Sequence, residues 1–372
     1  MKYSKLFGNK KFGFGMMRLP MLEVGGGKQQ VDIEQVCKMV DLFMKAGFCY
    51  FDTAHGYLDG LSELAIRDCL AKRYPRDSYL LTNKLTSVYF KKQEDIVPLF
   101  HKQLEASGVD YFDIYLMHSL TKENYEDFQK CNAFETALKL KEQGLIRHLG
   151  LSFHDSPEML DKILTDHPET EIVQIQLNYL DADDEQIQGL KNYEVCVKHG
   201  KPVIVMEPVK GGRLINMPTK ASNLVDEEGM NRAALALRYT ASFDDVGMVI
   251  SGMSNIAQMQ DNIDIMNNFK PLNNEEKMLI DKLTSIMRQE RIIECTKCGY
   301  CLSECPKYIE IPSVFTYMNE FLYDETIAKP EYNNETGTPK DCISCHRCEK
   351  VCPQHLPIPK LMKKAVNNRI FE

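Results

Sequence analysis

Eight cysteines lie between Cys295 and Cys352 in two copies of one pattern, C-T-K-C-G-Y-C-L-S-E-C-P from Cys295 and C-I-S-C-H-R-C-E-K-V-C-P from Cys342. Both read C-x2-C-x2-C-x3-C-P. The copies stay alike past the cysteines, since C-P-K-Y-I-E-I-P (Cys305 to Pro312) parallels C-P-Q-H-L-P-I-P (Cys352 to Pro359). Three thiolates at this spacing can reach three irons of one cubane cluster, while the fourth, followed by proline, turns to the neighbouring cluster. The repeat therefore predicts two [4Fe-4S] clusters with crossed ligation. Cys295, Cys298, Cys301 and Cys352 would hold one, and Cys342, Cys345, Cys348 and Cys305 the other. Four-cysteine zinc sites use two C-x2-C pairs and leave no role for a third cysteine or the Cys-Pro ending.

A second set of reactive residues lies upstream. Asp52 and Tyr57 fall in F-D-T-A-H-G-Y, Lys84 closes L-L-T-N-K, and His118 closes D-I-Y-L-M-H. Singly, each has an ordinary explanation: a cap, a half-buried loop aromatic, a solvated charge and a hydrogen-bonded core residue. Together, at the ends of successive apolar runs, they are better explained as a site.

Those runs are the elements that must position them. Phe12–Met16, Phe48–Asp52, Tyr79–Lys84, Asp113–His118, His148–Leu151, Ile172–Gln176, Val203–Met206 and Gly247–Ile250 each read as a buried parallel strand. Stretches such as 31–46, 62–73, 94–107 and 125–143 are long enough for helices. Eight strands alternating with helices predict a (β/α)8 TIM barrel over residues 1–285, with a doubly wound sheet as the runner-up. In such a barrel the chemistry sits where the strands end. Residues 286–372 form a second, small all-α domain, in which Val314, Phe315, Met318, Phe321 and Leu322 recur at helical spacing after Pro312.

The bulk numbers narrow the function classes. At 372 residues, 44% hydrophobic and 26% charged, the chain suits one large core and one smaller unit. A net charge of −8 gives no electrostatic reason to expect nucleic acid or an anionic membrane surface. No apolar run approaches the roughly 20 residues of a membrane helix, and Met1 to Lys11 lacks a signal peptide's apolar stretch, so a cytoplasmic location is expected. In that reducing setting, the clustered cysteines read as metal ligands rather than disulfides. Cys37, Cys49, Cys69, Cys131 and Cys196 read as small buried apolar residues. Gly25, Gly26 and Gly27 read as a flexible loop.

Over about residues 8 to 270 the chain resembles the aldo-keto reductase superfamily, whose F-D-T-A-x-x-Y, strand-end lysine and Y-L-x-H segments occur here in the same order. G-F-G-M-M-R-L-P, K-E-Q-G-L-I-R-H-L-G-L-S and M-E-P-V-K-G-G-R-L add to the likeness. Residues 290 to 372 resemble the α-helical ferredoxin domains of fumarate reductase iron-sulfur subunits and heterodisulfide reductases, and the whole resembles the iron-sulfur branch of the superfamily. The resemblance implies a small-molecule carbonyl or related group reduced by a nicotinamide cofactor, NADP or NAD. Tyr57 would give the proton, helped by Lys84, which Asp52 orients and neutralises, while His118 holds the substrate oxygen. It also implies Ser152 and Gln174 at the carboxamide, and Pro208, Lys210, Gly211, Gly212, Arg213 and Leu214 along the pyrophosphate. Ser254, Gln258 and Asn262 would lie near the adenosine. Phe153, Met206 and Gln258 depart from common family residues. Gln258 replaces an arginine that would grip a 2'-phosphate, which leaves NADPH against NADH open.

Nicotinamide passes two electrons together and a cluster passes one, so something must divide the pair. A flavin, brought by a redox partner protein or replacing nicotinamide in the barrel, would do so; otherwise the clusters are structural. The rival to the enzyme is an electron-transfer or assembly subunit with a non-catalytic barrel.

Overall fold

In a computed structural model, the residues described are 2–23, 29–289, 292–321 and 336–367. The glycines Gly25 to Gly27 and Leu322 lie outside them. The chain divides into two units, Met1–Val209 with Asn223–Lys282, and Lys210–Ser222 with Leu283–Glu372.

The first unit is a closed parallel barrel. Its strands are β1 (Phe12–Gly15), β2 (Tyr50–Asp52), β3 (Leu80–Thr86), β4 (Phe112–Leu120), β5 (Ile146–Phe153), β6 (Ile172–Gln176), β7 (Val203–Met206) and β8 (Val246–Gly252). Each pairs with its neighbours in sequence, and β8 closes on β1. The eight predicted strands all form: Ile172–Gln176 and Val203–Met206 match residue for residue, and the other six are lengthened or trimmed by one or two residues at one end or both. An antiparallel ribbon, Met21–Glu23 with Gln29–Val31, follows β1.

Alternation along the strands creates the layer that matters. Tyr50, Ile114, Leu116, Ile172, Ile204, Met248 and Ile250 pack into one buried apolar cluster, with Phe7 from the short helix Ser4–Phe7 joining it. Side chains two residues further along a strand share the same face. That period carries Asp52, Lys84, His118, Ser152, Gln174 and Met206 into the next layer toward the strand ends. Gly150 is needed inside, because a Cβ there would stand 2.6 Å from the Ile172 carbonyl oxygen and 2.7 Å from Leu116. A larger cluster fills the space between barrel and helices, where Phe12, Phe43, Phe48 and Phe51 pack ring against ring.

Helices Ile33–Lys45 and Ile96–Ser107 match expectation, and the expected helix over 62–73 is Leu61–Ile66 continued by a wider turn, Arg67–Ala71. The stretch 125–143 differs. It forms two helices, Lys122–Lys130 and Ala133–Glu142, because Asn132 takes a left-handed conformation (φ 48°) that ends the first and starts the second.

In the second unit, short helices Tyr300–Glu304 and Arg347–Lys350 follow the first two cysteines of each motif, and Ile311–Phe321 and Ile358–Asn367 follow each Cys-Pro. Both members of each pair occupy matching places in the repeat. Ile309, Ile311, Val314, Phe315, Met318, Ile358 and Met362 form this unit's apolar core, with Cys301 and Cys348 buried in it. Lys210–Ser222 groups here rather than with the barrel residues around it in sequence. Gly211 (φ 59°) packs so tightly that a Cβ would lie 2.8 Å from the Thr296 carbonyl oxygen.

Candidate functional site

The ladder between β2 and β3 ends at Asp52↔Thr82, and β2 then leaves the sheet through Thr53 and Ala54 toward Tyr57. Lys84, fully buried on β3, turns its ammonium back across that divergence. Its Nζ donates to Asp52 Oδ1 at 2.6 Å and to the Thr53 carbonyl at 2.8 Å. The same Nζ stands 4.7 Å from the centre of the Tyr57 ring. On β4, His118 packs edge-on against Tyr57, ring centres 5.9 Å apart, and its Nδ1 is 2.7 Å from Thr86 Oγ1. Asp52, Tyr57, Lys84 and His118 thus come together at one mouth of the barrel.

Burial dominates the electrostatics. It pushes the Lys84 ammonium below its usual range and the Asp52 carboxyl above its own, with each partner's charge acting against the shift. His118 is driven well below the usual imidazole range, first by burial, then by the Lys84 charge and by His154. It is neutral near pH 7. A cation beside a phenol ring, a carboxylate holding that cation and a neutral imidazole form a proton-handling group.

Ser152 and Gln174 are adjacent across the β5–β6 ladder. The Gln174 amide donates to Asp52 Oδ2 at 3.3 Å, so it also braces the ion pair. The Ser152 hydroxyl is buried and meets no hydrogen-bond partner among the described residues, a poor arrangement unless a ligand completes it. At β8, the Ser254 hydroxyl donates to the Arg18 carbonyl, its N–H donates to Gln258 Oε1, and Asn262 donates to Ser251. Asn255 caps the following helix, Ile256–Asn267.

After Pro208, the residues Lys210 to Leu214 lie in the second unit. Lys210 is buried, and its Nζ is 2.7 Å from Glu294 Oε2. Its charge is therefore already partnered, which the sequence spacing did not disclose. Gly211 packs on Thr296, as above, and these contacts flank Cys295 on both sides.

The eight cysteines surround two hollows. One is lined by Cys295, Cys298, Cys301 and Cys352; the other by Cys305, Cys342, Cys345 and Cys348. Each hollow takes its fourth cysteine from the other copy of the repeat. Burial followed by the neighbouring sulfurs of Cys298, Cys295 and Cys352 raises Cys301, and burial with Cys305 and Cys342 pushes Cys348 up to about 11. Four such sulfurs become thiolates together only when a positive centre binds them. The Lys297 and Ile309 N–H groups donate to the sulfurs of Cys295 and Cys305, both at 3.4 Å. Among the described residues no three Cys, His, Asp or Glu side chains converge as a single-ion site requires. The donors and the hollows suit a polynuclear iron-sulfur group.

The fold and the two sites define an oxidoreductase barrel joined to an iron-sulfur unit. A model of the aldo/keto reductase family matches residues 11–285, and one of a 4Fe-4S dicluster domain matches residues 294–357; the chain belongs to the aldo/keto reductase family. Among curated relatives, an aldo-keto reductase of Mycolicibacterium vanbaalenii is 26% identical over 253 residues, 66% of this chain and 82% of its own. The uncharacterized oxidoreductase YqkF of Bacillus subtilis is 25% identical over 292 residues, covering 69% and 91%. The aldo-keto reductase AKR11C1 of Bacillus halodurans, in its holo form, superposes with a TM-score of 0.60 at 25% identity over 73% of this chain and 91% of its own. The protein is thus an aldo/keto reductase-type oxidoreductase with a 4Fe-4S domain. No helix among the described residues is long and apolar enough to cross a membrane.

Proposed function

We propose that the protein reduces a carbonyl or related group on a small molecule at Tyr57, using NADP or NAD, and that each sulfur-lined hollow holds one [4Fe-4S] cluster. The observation that carries this is the Lys84 ammonium, bound to Asp52 and set 4.7 Å from the Tyr57 ring centre. A nicotinamide bound in the barrel mouth supplies hydride. The unpartnered Ser152 hydroxyl suits its carboxamide, and Gln174 lies beside it on β6. Tyr57 passes its phenolic proton to the substrate oxygen as the carbon is reduced. Lys84 makes that transfer feasible near pH 7 by stabilising the phenolate, whose acid otherwise has a pKa of about 10. Neutral His118, held by Thr86, orients the substrate oxygen. Ser254, Gln258 and Asn262 hold the adenosine end, and the resemblance assigns Pro208, Lys210, Gly211, Gly212, Arg213 and Leu214 to the pyrophosphate.

The cysteines, crossed between the two halves of the repeat, hold groups that exchange single electrons. Such groups would exchange electrons one at a time with a redox partner protein, or with a flavin that divides an electron pair.

The test is an anaerobic preparation of the full chain, assayed for iron and sulfide and titrated with NADPH, NADH and flavin. Nicotinamide binding, and turnover that Tyr57→Phe lowers by roughly 10²- to 10⁴-fold, are expected. Binding of none of the three sinks the proposal.

A further inference from the structure

Next to the barrel mouth lies a buried carboxylate with no role in proton transfer. Glu63 sits on helix Leu61–Ile66 and is fully buried. Its two oxygens go to different elements. Oε2 is 2.7 Å from His55 Nδ1, in the loop that carries Tyr57, and Oε1 accepts from Asn83 Nδ2 at 2.8 Å, next to Lys84 on β3.

The Asn83 end solves a problem created by the divergence of β2 from β3. Thr53 N–H reaches the Thr82 carbonyl, but beyond that rung no strand of the described residues pairs on this side of β3, so Lys84 satisfies its own N–H and C=O otherwise. Asn83 Oδ1 accepts the Lys84 N–H at 2.8 Å, and Gln103 Nε2 donates to the Lys84 carbonyl at 2.8 Å and to Asn83 Oδ1 at 3.2 Å. Tyr115 in turn donates to Gln103 Oε1 at 2.6 Å. The Lys84 backbone is therefore held by side chains whose orientation Glu63 sets through Asn83.

The His55 end restrains the Tyr57 loop. Immediately after Tyr57, Leu58 and Asp59 adopt left-handed conformations (φ 53° and 54°), which persist only where the surroundings over-determine them. His55 packs edge-on against Tyr89 at 5.0 Å, and Ser62, beside Glu63, bonds Thr53 at 2.7 Å and the Met16 carbonyl at 3.0 Å. The stretch leading into Tyr57 is thus tied at Thr53 and at His55 to the start of the helix that follows it.

We infer that Glu63 is a positioning residue: by gripping His55 and Asn83 at once, it fixes the Tyr57 loop against the Lys84 strand and so sets how closely ammonium and phenol approach. The inference rests on the proton-donor reading of Tyr57. Glu63 touches neither substrate nor cofactor, and its effect reaches the reaction only through the acidity and placement of the phenol.

The experiment is a titration of full-length protein carrying 13Cζ-labelled tyrosine, with the Tyr57 resonance assigned by Tyr57→Phe, in the wild type and in Glu63→Ala, Glu63→Gln and His55→Ala. NADPH-dependent reduction of 4-nitrobenzaldehyde is measured alongside. Glu63→Ala moves the Tyr57 titration to higher pH and lowers kcat by about 10- to 100-fold, since displacements near 1 Å can cost 10²-fold, with KM little changed. Glu63→Gln, which can still accept from Asn83 and donate to His55, restores most of both. His55→Ala, severing one tether, gives a smaller shift in the same direction and decides the matter if Glu63→Ala fails to fold. An unchanged Tyr57 titration in Glu63→Ala, or in His55→Ala where that variant alone folds, overturns the inference. The titration is read without turnover, so an inactive wild type counts against the reductase reading and leaves this one to be judged by the resonance.

Discussion

Lys84→Met removes the ammonium from a site with 0% and 5% side-chain exposure at its two partners, and this places a definite cost on the barrel. The variant keeps the length of the side chain and deletes hydrogen bonds of 2.6 Å to Asp52 and 2.8 Å to Thr53. Asp52 is left buried with one long contact, 3.3 Å from Gln174. Breaking a buried pair from one side costs about 3–5 kcal/mol, because the remaining charge has lost its compensation. Asp52→Leu should cost a similar amount, for the mirrored reason. The double variant should behave differently. Burial already outweighs the partner's charge for both groups, so exchanging the pair for apolar side chains removes two desolvation penalties and should return stability to within about 2 kcal/mol of the wild type. The assay is anaerobic urea unfolding of the full chain, followed by far-ultraviolet circular dichroism, as a double-mutant cycle. With an m-value of roughly 3 kcal/mol/M, each single variant lowers the midpoint by roughly 1–1.7 M. Single variants within about 1 kcal/mol of wild type, or a double variant showing the sum of both losses, would refute the reasoning and mean that water reaches the pair.

His118 gives a pH signature. Its folded-state pKa lies well below the ordinary 6.5, so below pH 6.5 the unfolded chain binds a proton that the native chain does not, and stability falls as pH falls, by up to about 1.4 kcal/mol per unit. Urea midpoints at pH 7.5 and pH 5 should therefore converge more in His118→Asn than in the wild type; equal slopes would contradict the buried neutral ring. Crossed ligation predicts that Cys295→Ser with Cys352→Ser costs no more iron and sulfide than either change alone, whereas Cys348→Ser with Cys352→Ser removes both clusters. Iron analysis of the anaerobic variants decides between this and ligation within each motif. The resemblance puts Lys210 along the pyrophosphate, so Lys210→Met should weaken NADPH binding several-fold; a fluorescence titration that finds no change would show that the lysine serves its ion pair with Glu294 instead.

What could be read from the chain before its structure depended on whether the cause was local. Buried parallel strands must be apolar on both faces, so Ile172–Gln176 and Val203–Met206 announce themselves as short runs. Barrel geometry then makes any charged residue at the end of such a run conspicuous, which is how Lys84 and His118 became visible. The crossed grouping of the cysteines around the two hollows was legible for a similar reason, since the proline after Cys305 and Cys352 acts on its immediate neighbour. The break at Asn132 was not, because a left-handed asparagine inside a pattern of helical period leaves no mark on the period itself. Longer-range partners were hidden altogether. Nothing around Lys210 predicts Glu294, and a glycine-rich turn next to two basic residues looks like a phosphate loop whether or not its lysine is already paired. Glu63 was hidden in the same way. Its neighbours Leu61 and Leu64 suggest only a helix, and its two partners, His55 and Asn83, meet it solely because β2 parts from β3 after Thr82. The candidate side chains can be found from where strands end; the residues that bond to their surroundings follow only from which strands stop pairing, and where.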